Sequence, residues 1–167
     1  MESVTRLIDF IREATSPYHV VKQCVEVLKE KGFSELPFEE PWKLEKGKNY
    51  YTVPYGTTIF AFSVGGALSE KPYFKLASAH TDHPGFHIKP VAEIEEKEYL
   101  KLNTESYGGV ILNTWMDRPL SLAGRVMVET EDGIESRLVD IDRDLLLIPN
   151  VAIHMNRQAN DGYKWTP

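Results

Sequence analysis

A single cysteine, Cys24, is all the thiol this 167-residue chain contains, so no internal disulfide can staple it. Cys24 falls among apolar residues at helical spacing, which reads as a core position. No apolar run approaches the roughly 20 residues that a membrane-spanning helix needs. The opening Met1-Glu2-Ser3-Val4-Thr5-Arg6 lacks the basic-then-apolar order of a secretory signal. No membrane partner and a cytoplasmic location are therefore expected. Positive charge is also scarce: 19 Lys and Arg stand against 25 Asp and Glu, a formal net charge of -6. Without a broad basic field there is little to attract phosphate backbones, and nucleic acid is excluded as an expected partner. Internal repeats and low-complexity tracts are missing too.

What is present is a chain with 42% hydrophobic and 11% aromatic residues, enough for one domain with a core, or for a domain and part of another. Val4, Leu7, Ile8 and Ile11 recur at the spacing of an amphipathic helix with one buried face. Ser16 suits an N-cap and Pro17 the first position of a second helix. Val21, Cys24, Val25 and Leu28 carry that helix to Gly32.

From Asn49 the pattern changes to short β-branched and aromatic runs. It predicts strands over 50–53, 57–64 and 73–79, divided by Pro54-Tyr55-Gly56 and Gly65-Gly66. Beyond Pro90, further strands are predicted over 98–102, 120–129 and 134–141, with Asp132-Gly133 as a hairpin turn between the last two. Helices on a sheet followed by hairpin-rich β structure predict an α/β part over 1–90 and a second, mainly β part over 91–167. The closing run Asp161 to Pro167 brings no final element, so the chain reads as cut short.

The densest chemistry lies in Ala77-Ser78-Ala79-His80-Thr81-Asp82-His83-Pro84-Gly85. Strand ends in open α/β sheets are where loops converge polar groups above a rigid scaffold. A neutral imidazole at His80 is a good zinc ligand, and a carboxylate two residues on can accept its other N–H and fix the tautomer. His-x-Asp alone is a short pattern that also serves loops and caps. His83 and His87 have no spacing that forces them to the same point and read as surface histidines. A serine hydrolase built from Ser78, His80 and Asp82 is disfavoured, because residues this close in sequence cannot readily form the sequential relay. Gly108-Gly109 has no following Lys-Ser/Thr and is not a phosphate loop.

Several segments, in order and approximate spacing, resemble the aspartyl aminopeptidase family. They are Ser16-Pro17-Tyr18-His19-Val20-Val21, Trp42-Lys43-Leu44, Lys48-Asn49-Tyr50-Tyr51, Ala61-Phe62-Ser63-Val64-Gly65 and His80-Thr81-Asp82. The most specific runs from Tyr107-Gly108-Gly109 through Thr114-Trp115-Met116-Asp117-Arg118-Pro119-Leu120-Ser121-Leu122-Ala123-Gly124-Arg125-Val126. Ile148-Pro149-Asn150-Val151-Ala152-Ile153-His154-Met155-Asn156-Arg157 is similar to the family's segment in that place.

The resemblance implies the N-terminal part of a zinc-exopeptidase α/β/α sandwich, followed by part of an inserted β domain that assembles large tetrahedral homo-oligomers. It implies two divalent metals, zinc or alternatively manganese or cobalt, and hydrolysis of an N-terminal, acidic residue from a peptide substrate. Residue by residue, His80 matches the first metal ligand. Asp82 matches the carboxylate that orients it and supports the metal centre. His154 matches the histidine offered to a neighbouring subunit's substrate or oxyanion. The general-base glutamate and the remaining ligands belong to later segments of the family, so these 167 residues alone are expected to be inactive. A non-catalytic assembly module is the alternative. By spacing alone Trp115, Leu120 and Leu122 suit packing in a buried strand, Asp117-Arg118 an ion pair, and His154 a strand. The family's usual residues differ at His83 and His87, which bears on the lining of the site.

Overall fold

A computed structural model describes residues 2–66, 73–158 and 162; the closing run from Asp161, Gly162 apart, lies outside them. The described chain is mixed helix and strand, and its contacts divide it into two compact units. One comprises residues 1–82 and 123–140, the other residues 83–122 and 141–167.

In the first unit, α1 spans Glu2–Glu13 and α2 spans Pro17–Glu30. Ser16 caps α2 as expected: its hydroxyl accepts from the His19 amide and lies 2.7 Å from His19 Nδ1, which satisfies an orphan donor of the first turn. At the other end the Phe33 amide returns to Leu28 O, and Gly32 takes the left-handed φ of +76° that this reversal needs.

Three short strands form one sheet in the order β1 (Ser34–Glu35), β2 (Asn49–Thr52), β3 (Phe60–Ser63). β1 runs parallel to β2, and β3 antiparallel, with Tyr50 opposite Phe62 and Tyr51 opposite Ala61. Tyr51 is fully buried, and its hydroxyl donates to Glu35 Oε2 at 2.9 Å. Burial first, then the Glu35 carboxylate, pushes the phenol up to about 12. The β-hairpin of β7 (Ala123–Thr130) and β8 (Gly133–Asp140) also belongs to this unit. Thr130 pairs with Gly133 across a two-residue loop, the turn expected around Asp132-Gly133. The Arg125 guanidinium sits 4.5 Å over the Tyr18 ring, and Thr15 donates to Asp140, tying the hairpin to α2.

Among the described residues of the second unit, the regular elements are strands apart from one short helical turn. β4 (Gly85–Glu96) pairs antiparallel with β5 (Tyr99–Tyr107). The register shifts between Ile88 and Glu93; Pro90 lies within that interval and has no N–H to give the ladder, so the bulge accommodates it. Gly108 leaves β5 at a φ of +70°, which accounts for a glycine there. A 3-10 turn, Leu112–Trp115, leads to β6 (Pro119–Leu120), which pairs with β9 (Leu146–Leu147).

Several expectations are corrected. The stripe Val4, Leu7, Ile8 and Ile11 forms the predicted helix, but all four side chains are exposed, since none of the described elements lies over that face. The buried apolar side chains among the described residues are Val21, Tyr50 and Tyr51, a smaller core than the composition allows. Cys24 is only half-buried, with burial raising its thiol pKa. The strand predicted over 57–64 shortens to Phe60–Ser63, and residues 73–79 form no strand. They have the propensity but no ladder partner among the described residues, and Phe74 is 90% exposed. Residues from Gly85 onward, where no strand is predicted before residue 98, form the long strand β4. Trp115 packs as expected, edge-on to Phe86 at 5.3 Å, but from the 3-10 turn rather than a strand.

Candidate metal centre

Residues 73–80 run without regular structure into His80-Thr81-Asp82. Thr81 sits at a bend of the backbone, and its side chain and its two neighbours' side chains divide two jobs. Thr81 donates its hydroxyl to the Thr57 carbonyl at 2.7 Å, pinning the segment to the loop before β3. On either side of it, His80 Nδ1 and Asp82 Oδ1 meet at 3.0 Å. An ionised carboxylate only accepts, so Nδ1 carries the proton and donates it; in the neutral ring Nε2 then holds the lone pair.

The His80 side chain is 87% exposed and the Asp82 side chain 37%, so the ring stands at an open surface with one nitrogen held. Around it Thr57, Thr58, Ile59, Ser78 and Ala79 complete the lining of a pocket of about 570 Å³ with His80, Thr81 and Asp82. The pair fits one corner of a zinc site, since zinc-bound histidine usually donates its second nitrogen to a carboxylate. Among the described residues no three His, Cys, Asp or Glu side chains converge to hold a metal, so His80 offers one ligand of the about three that a catalytic zinc takes from protein.

His83 is exposed beside Pro84, and His87, on β4, stacks on Tyr107 with ring centroids 4.4 Å apart. His154 is exposed on a turn, not on the strand its spacing suggests; the turn is closed by Met155 N to Ala152 O at 2.8 Å. Asp117 does not serve an ion pair with Arg118 but accepts from Asn150 through both carboxylate oxygens, at 2.8 Å from the backbone amide and 2.7 Å from Nδ2. These two bonds hold Asp117 below the usual carboxylate range. Thr81 and Asn150 were not singled out from sequence. The place of Thr81 between His80 and Asp82 could have flagged it, whereas nothing local marks a residue 33 positions from its partner.

The sequence profile described as Aminopeptidase I zinc metalloprotease (M18) matches residues 10–166. A probable M18 family aminopeptidase 2 of Clostridium acetobutylicum is 46% identical over all of this chain and 39% of its own length. An aspartyl aminopeptidase of Dictyostelium discoideum is 42% identical over 95% of this chain and 33% of its own. The chain thus spans less than two-fifths of these curated relatives. Among solved structures, Ape4 in its complex with Nbr1 superposes with a TM-score of 0.92 at 39% identity, covering 97% of this chain and 31% of that one. The mApe1 of Chaetomium thermophilum gives 0.84 at 32% identity, covering 91% and 35%. The mApe1 dodecamer of Saccharomyces cerevisiae gives 0.75 at 28% identity, covering 90% and 36%. The fold is therefore that of the N-terminal part of these aminopeptidases.

Proposed function

Because the chain belongs to the M18 family of zinc metalloproteases, we propose that it forms the N-terminal part of a metal-dependent aminopeptidase that removes acidic N-terminal residues from peptides. The observation that carries this reading is the 3.0 Å contact between His80 Nδ1 and Asp82 Oδ1. It directs Nε2 of His80 to a metal, while Asp82 keeps the ring in the ligating tautomer and supplies negative charge beside the centre. Bound zinc, or manganese or cobalt in its place, supplies Lewis-acid polarisation of the scissile carbonyl and a nucleophile drawn from water at neutral pH. A binuclear site needs further ligands and a general base, and in this reading they come from the length by which the relatives exceed this chain.

In the same reading residues 1–90 belong to the catalytic part and residues 91–167 to an inserted part that mediates homo-oligomeric assembly in the cytoplasm. Two features support assembly. Among the described residues the β4–β5 ribbon has two strands, an arrangement marginally stable alone in water. Its exposed Val91, Tyr99 and Leu100 offer apolar surface for a neighbour. His154 is then the residue presented to a neighbouring subunit's substrate, a role that its exposure permits.

Zinc-dependent release of Asp or Glu from short peptides by the longest natural chain containing these residues tests the proposal. Activity that disappears with chelation and with His80→Ala supports it. Assembly without hydrolysis in that chain supports the alternative of a non-catalytic module.

A further inference from the structure

The loop that carries His154 is docked onto the segment 116–120 by an unbroken series of contacts. Leu145 N donates to Leu120 O, Leu146 and Leu147 pair with Leu120 and Pro119, and Asp117 N donates to Ile148 O at 2.9 Å. Met116 and Ile148 form an isolated bridge. Pro149 follows, with its φ fixed by the ring. The series ends where the Asp117 carboxylate takes both the backbone amide and the side-chain amide of Asn150. Two positions beyond Asn150 lies the Ala152 carbonyl that closes the turn around His154, accepting from Met155 N and from Asn156 N at 3.1 Å.

Asp117 holds a φ of +53°, a left-handed conformation that costs most non-glycine residues energy and that Asp and Asn tolerate best. A conformation of this kind persists only where its surroundings impose it. Here it aims the carboxylate at Asn150 across 33 residues of sequence.

The geometry points to Asp117 as a positioning residue: through Asn150 it fixes the entry of the turn that presents His154. This rests on the proposed role of His154. Asp117 itself touches no substrate in this account, and its effect passes through the histidine alone. Asn150 fills both carboxylate oxygens, one from its backbone amide and one from Nδ2, and two bonds restrict the loop's orientation about the contact more than one would.

The test uses the longest natural chain, assayed with an N-terminal Asp peptide after its assembly state has been checked. Asp117→Asn keeps the left-handed backbone acceptable but leaves a single oxygen for the two donors. It is expected to lower kcat about tenfold with KM within about twofold, the pattern of lost positioning rather than lost ground-state binding. Adding Asn150→Asp restores both bonds: the side-chain amide introduced by Asp117→Asn donates its N–H to the new carboxylate, and its oxygen accepts from the backbone amide. The reciprocal pair is expected to return kcat to within about threefold of the parent. In a His154→Ala background, Asp117→Asn is expected to cost nothing further. Amide exchange over residues 150–156 is expected to speed up in Asp117→Asn and recover in the reciprocal pair.

An additive loss in the His154→Ala background, or no rescue by the reciprocal pair, overturns the inference, and so does a single variant that disrupts assembly without rescue. If His154→Ala leaves activity intact, the proposed role of His154 fails, whatever Asp117 does. If His154→Ala is costly and Asp117→Asn is silent, that role stands and the positioning inference fails.

Discussion

The imidazole of His80 and the carboxylate of Asp82 meet at 3.0 Å, while Thr81 between them is fastened to the Thr57 carbonyl at 2.7 Å. Thr81 thus anchors the pair, and removing the carboxylate frees the ring without removing the proposed ligand. Asp82→Ala is expected to weaken zinc affinity about 10- to 100-fold, the usual cost of losing such a partner, and Thr81→Val to weaken it less. Isothermal titration of zinc into the longest natural chain separates the two; equal affinity in the parent and Asp82→Ala contradicts the arrangement.

Tyr51 makes stability depend on alkaline pH. Its folded pKa, about 12, exceeds the ordinary value near 10, so the neutral phenol is favoured in the fold. The contribution is fully present below about pH 10 and is lost as pH rises toward about 12, by up to about 2–3 kcal/mol. Urea unfolding between those limits is expected to show the fall in the parent and a flatter profile in Tyr51→Phe. A parallel fall in both proteins would assign the alkaline loss to other groups.

Ser16 satisfies the first turn of α2 and also meets His19 Nδ1 at 2.7 Å, and both residues are buried. Ser16→Ala is expected to cost at least about 1 kcal/mol in unfolding free energy, read as a lower urea midpoint at unchanged slope. An unchanged midpoint would show that the cap carries no weight.

The apolar stripe of α1 is exposed, so replacing it should change association more than folding. Leu7→Lys with Ile11→Lys is expected to reduce the light-scattering mass of these 167 residues in solution, with unfolding free energy altered by less than about 0.5 kcal/mol per site. A large loss of stability would mean that the stripe is covered within this chain.

Much of this fold was legible because its signals are local. Ser16-Pro17 announces an N-cap whatever surrounds it, and Thr130 to Gly133 turns where its two-residue loop requires. The His80-x-Asp82 contact joins two residues two positions apart, so it needed no partner distant in sequence. What was not legible depends on partners distant in sequence. The apolar periodicity of α1 reports that a face is suited to burial, not that anything buries it. The run at residues 73–79 has strand propensity, yet a strand exists only with a ladder partner. The Asp117–Asn150 contact joins residues 33 positions apart, and no local pattern announces such a pairing. His154 similarly looked like a strand residue because Val151, Ile153 and Met155 alternate around it, whereas Pro149 and the hydrogen bonds to Ala152 favour a turn.

The most direct test of the central claim is the hydrolysis of an N-terminal Asp peptide by the longest natural chain containing these residues, measured with zinc, after chelation and in His80→Ala. Zinc-dependent release of aspartate is expected, lowered by at least about a hundredfold in His80→Ala while assembly is retained. Undiminished activity in His80→Ala, or activity indifferent to chelation, would contradict it.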